Sequence, residues 1–108
     1  MLSPEKEALL TLESEFDQAM RGTYEAARKR GYVPTLFLQM LEEHGGLETA
    51  RRLLAKSDAQ SGLYRLWELQ LLHESMEAQV VKERFRELFT ETEIAEAHRR
   101  LDELGYFK

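Results

Sequence analysis

Ser3-Pro4-Glu5-Lys6-Glu7-Ala8-Leu9-Leu10-Thr11-Leu12-Glu13-Ser14-Glu15-Phe16 opens a segment that closes on Ala27-Arg28-Lys29-Arg30-Gly31. Ser3 offers a side-chain cap, and Pro4 sits where a helix needs no N–H. Glu5 and Glu7 suit the positive end of the helix dipole, and Arg28, Lys29 and Arg30 suit the negative end. Gly31 can end the helix in a left-handed conformation. Between these signals Leu9, Leu12, Phe16, Ala19, Met20, Thr23 and Ala27 recur at helical spacing on one face. The pattern predicts one helix over 4–30, about 40 Å long, with Gly22 its weak point at a cost of about 1 kcal/mol against Ala.

The rest of the chain repeats this grammar. Val33-Pro34 resets the backbone, and a second helix is expected over 34–44. Leu36, Phe37, Leu38, Met40 and Leu41 cover more than half its circumference, which marks it as the most buried helix. Gly45-Gly46 ends it, with His44 at its C-terminal cap. A third helix follows over 47–56, burying Leu47, Ala50, Leu53 and Leu54. After the polar loop from Ser57 to Gly62 a fourth, over 62–71, packs Leu63, Leu66 and Trp67. Ser75 can cap a fifth. Its apolar positions change phase between Val80 and Val81, so a break is expected near Lys82. Thr90-Glu91-Thr92-Glu93 has the form of a capping box. It opens a last helix over 91–104, which Gly105 ends, with Tyr106 and Phe107 folding back. No strand pattern or internal repeat occurs. The expected fold is an all-α, compact bundle of six to seven helices. Residues 1–31 form a long N-terminal helix and residues 32–108 a compact body.

Composition narrows the function. The 108 residues contain no cysteine, which excludes disulfides and thiolate zinc sites and suits a reducing cytosol. The start of the chain lacks the basic patch and apolar run of a signal peptide, and the longest nearly apolar run, 33–41, is too short for a membrane span. A net charge of −5 opposes general attraction to nucleic acid or anionic lipid.

Residues 32–106 resemble a recurrent bacterial helical module of uncharacterised function. The matching stretches are Gly31-Tyr32-Val33-Pro34-Thr35-Leu36-Phe37, Gly62-Leu63-Tyr64-Arg65-Leu66-Trp67-Glu68 and Phe85-Arg86-Glu87-Leu88-Phe89-Thr90. Such modules occur alone and attached to nuclease domains such as HNH enzymes, which implies an accessory role beside a nuclease or in defence. The family's Arg-Leu-Asp-Leu-Thr is replaced by Leu71-Leu72-His73-Glu74-Ser75, and Lys82 stands where the family often has Pro. The resemblance brings no known active site.

Catalytic patterns are weak. His73, Glu74 and Glu77 lack the second His of a zincin helix. His98 and Asp102 are four apart, which equally describes a surface ion pair. The Gly45-Gly46 pair lacks the Lys-Ser/Thr of a phosphate loop. The 46–67 region has only a loose helix-turn-helix form. The chain therefore reads as a non-catalytic interaction module, without cofactor, metal or small-molecule substrate. Its expected partner is another protein or a second copy, met through Leu9, Leu12, Phe16 and Met20. The alternative partner is nucleic acid, met through Lys82, Arg84, Arg86, Arg99 and Arg100. A metal-dependent enzyme around His73 is the third reading.

Overall fold

The structure, a computed structural model, describes residues 2–57 and 60–108. Asp58 and Ala59 of the expected polar loop lie outside the described residues. Five α-helices follow in order: α1 Pro4–Lys29, α2 Thr35–Ala55, α3 Ser61–Glu68, α4 Met76–Val80 and α5 Glu91–Glu103. Short 3-10 segments at Leu72–Glu74 and Glu83–Leu88 join the later ones. Among the described residues there is no strand, and the all-α bundle with a long first helix is the fold.

Local chemistry sets most boundaries. The Ser3 side chain accepts from the Lys6 N–H at 3.2 Å. Ser75 accepts from Ala78 at 3.1 Å while donating to the Leu72 carbonyl. Thr90 and Glu93 form the reciprocal capping box of α5. The break at Lys82 is present, with φ −68° and ψ 135°. It lets Val80 on one side and Phe85 on the other both enter the core.

Gly45 has φ 79° and ψ 171° and kinks α2, so the second and third expected helices run on with a bend between them. The next residue, Gly46, lies against α1. Its N–H donates to Asp17 Oδ1 at 2.7 Å, and a Cβ there would stand 2.7 Å from the Asp17 Cα. The kink thus lets two backbones approach to a distance only glycine permits.

The core forms around Phe16, whose ring meets those of Phe85 and Phe89 edge-on at 5.1 Å. Met20, Leu41, Ala50, Val80 and Ala97 complete it from α1, α2, α4 and α5. A smaller cluster of Ala27, Leu66 and Leu71 fastens α3 to the far end of α1. Phe16 and Met20 are 0% exposed, so a division at residue 31 does not follow the packing. The second half of α1 belongs to the body. Only its first turns reach past it, since residues 2–11 are all exposed. The long dimension of the molecule is 46 Å against 27 and 22 Å across.

Two glycine substitutions should move stability in opposite directions. Gly46→Ala forces α1 and α2 apart and should cost about 1–3 kcal/mol, the usual penalty for overpacking. Gly22→Ala lies in helix with nothing within 4 Å of the added methyl and should gain up to about 1 kcal/mol. Chemical denaturation of both variants checks the pair.

Candidate docking surface

Helix α2 has more apolar circumference than the fold covers. Leu41 is buried, but Phe37, Leu38 and Met40 are only half-buried and Leu36 is 69% exposed. This corrects the expectation that this helix is the most buried. Its first turns lie at an edge, between the end of α1 and the thinly attached α3, and among the described residues nothing closes over their outer face. The result is a groove of about 520 Å³. Thr23 and Ala27 of α1, Phe37 and Met40 of α2, and Leu63 and Leu66 of α3 line it. Val33, 54% exposed, stands with Leu36 on its rim. Full burial of a leucine side chain is worth about 1.5–3 kcal/mol, and Leu36 has most of that still to gain from a partner.

The buried carboxylate of the groove wall is Glu77, which with His73 and Glu74 makes only an incomplete metal pattern in the sequence and is turned inward. Its carboxylate accepts from Arg100 Nη1 at 3.2 Å, both side chains being almost wholly buried. Arg100 donates further to Glu96 at 2.6 Å and to the carbonyls of Leu53, Leu54 and Lys56 at 3.1, 3.3 and 2.8 Å. Those carbonyls lie at the C-terminal end of α2, where the helix leaves acceptors over; that of Leu53 also accepts from the Lys56 N–H at 3.3 Å. Burial pushes the Glu77 carboxyl above its ordinary range in spite of the guanidinium. Hydrogen bonds from Arg99 and Arg100 hold Glu96 down at about 2.

Arg100 therefore does not belong to a basic surface, and the five cations expected to form one are not brought together. Arg84 pairs with Glu15 of α1 and lies over the Phe85 ring. Arg99 bonds Glu96 and Glu103. Exposed Lys82 and Arg86 stand beside Glu83 and Glu87, with Arg86 4.0 Å from Glu83. His73 is exposed and meets Glu74 at 3.8 Å. Among the described residues no three His, Asp or Glu side chains form a group able to hold a metal. His98 stacks on Phe107 at 4.1 Å and 13°, so its imidazole is turned to the C-terminal fold-back. The loose helix-turn-helix fails on its second member: α3 has eight residues, and its Trp67, expected in the core, is 50% exposed.

Of the expected interface stripe, Phe16 and Met20 are core residues and cannot meet a partner. Leu12 is half-buried against the edge of the core, and Leu9, 40% exposed, remains available. The groove itself was missed. The signal that could have found it was the excess of apolar residues around α2, too many for one helix in a chain of this length to bury.

No protein-family model, curated protein or solved structure matches the chain. No helix among the described residues is long and apolar enough to cross a membrane.

Two substitutions test the buried network. Arg100→Met leaves Glu77 without its counter-charge and strips its hydrogen bonds from the end of α2, and should cost about 3–5 kcal/mol. Adding Glu77→Leu removes the stranded carboxylate and should recover a large part of that loss. Denaturant melts of both variants decide the matter. For Glu96, the folded value lies below the unfolded one. Its contribution is therefore present above about pH 4.5 and lost as pH falls toward 2. The stability gap between wild type and Glu96→Gln should narrow across that window in melts run at a series of pH values.

Proposed function

We infer that the chain is a non-catalytic protein-binding module, and that its docking site is the groove between α1, α2 and α3. The observation that carries this reading is the joined apolar surface of Val33, Leu36 and the groove behind them. Apolar positions gathered around a concavity favour a partner's side chains, whereas scattered surface hydrophobics are ordinary. The groove is within the size range of ligand pockets, but it is open, with Val33 and Leu36 exposed beside Thr35 and Lys56 along it, which suits an inserted polypeptide segment better than an enclosed small molecule. The partner is another protein or a further copy of the chain. A place beside a nuclease or in a defence system rests on the resemblance of residues 32–106 alone, and a cytosolic location rests on composition.

A photo-cross-linking side chain placed at Leu36 should form an adduct with a polypeptide in living cells, and Val33→Asp should abolish it. The same group at exposed Arg52, outside the groove, should give none. Equal adducts at both positions, or none at either, would overturn the reading.

A further inference from the structure

We propose that the occupant of the groove is the exposed beginning of α1 from a second copy of this chain, the two copies packing antiparallel about a two-fold axis. This rests on the groove being a docking site. What singles out a second copy is the way α1 distributes its charge. Residues 4–15 hold four carboxylates, Glu5, Glu7, Glu13 and Glu15, against Lys6. Residues 16–30 hold Arg21, Arg28, Lys29 and Arg30 against Asp17 and Glu25. The helix is acidic where it leaves the body and basic where it returns to the groove.

The exposed start of α1 is also apolar on the side that continues the core stripe. Leu9 and Leu12 lie in line with Phe16 at helical spacing; Leu12 packs at the edge of the core, while helix residues 4–11 are all exposed. The eight helical residues 4–11 at 1.5 Å rise make an exposed stretch of about 12 Å. Its exposed Leu9 has apolar surface to gain from burial against a partner.

Antiparallel pairing answers both features. The exposed stretch of one copy then lies along the second half of the other copy's α1, beside Ala27 and the groove behind it. Leu9 meets the surface around Leu36, and Glu5 and Glu7 approach Lys29 and Arg30. The two helix dipoles oppose each other, which is favourable. Parallel pairing would set acid on acid and base on base. A two-fold arrangement buries the exposed stretch and the groove twice and closes at two copies.

The full chain should show twice its 12.6 kDa by sedimentation and light scattering, with dissociation on dilution. Leu9→Asp and Leu36→Asp, both at exposed positions, should each raise the dissociation constant about thirtyfold, as losing a buried anchor does. Their helicity by circular dichroism should stay that of wild type. Glu5→Lys with Glu7→Lys should weaken the pair, as should Lys29→Glu with Arg30→Glu, and all four together should restore it. A single-chain mass for wild type overturns the proposal, and so does a dimer whose affinity the fourfold reversal fails to recover. An adduct at Leu36 on a chain of single mass would leave the groove a docking site and remove only the second copy as its occupant. A dimer with no adduct at Leu36 would overturn both.

Discussion

The burial of the Arg100 guanidinium organises the lower half of the bundle. A charge of this kind costs several kcal/mol to remove from water and is held only when its donors are matched. Here the matching acceptors come from the end of α2, from α4 and from α5 itself. Arginine's planar fork suits this task in a way lysine's single ammonium does not. Three helices must therefore meet at one distance and in one orientation. The direction of α5 against the end of α2 follows from that, as does the floor of the groove, since Glu77 serves both.

The upper half depends on close approach instead. Asp17 receives the Gly46 N–H and the Arg21 Nε, so one carboxylate ties the kink of α2 to α1. The kink has a cost of its own. Thr49 Oγ1 is buried without a partner, and the carbonyl four residues earlier, a usual acceptor for a helical threonine, belongs to non-helical Gly45.

Features set by neighbours in sequence were legible before any coordinates. The Ser3, Ser75 and Thr90 caps, the turn at Gly31 and the break at Lys82 each depend on residues within four positions. Features set by distant neighbours were misread, all for one reason. Arg100 resembles any other solvated helix cation until Glu77 and the α2 carbonyls are known to surround it. Trp67 resembles a core residue until α3 is seen to rest on few others. Phe16 and Met20 were rightly placed on one stripe with Leu9, but where the body stops along that stripe is a tertiary fact. The candidate site was legible only as a surplus of apolar residues in 33–41, without its location.

The clamp at Arg100 also bears on how the chain is made. Its acceptors on α2 precede it by 44 to 47 residues. Synthesis runs at about 5–20 residues per second, so the finished end of α2 waits several seconds for the residue that seals it. Throughout that interval α1 and α2 can already associate through Asp17 and Gly46. The residues that join α1 to α2 are thus all made well before the clamp that fixes α2 to α5, and before the Phe85 and Phe89 rings that complete the core around Phe16.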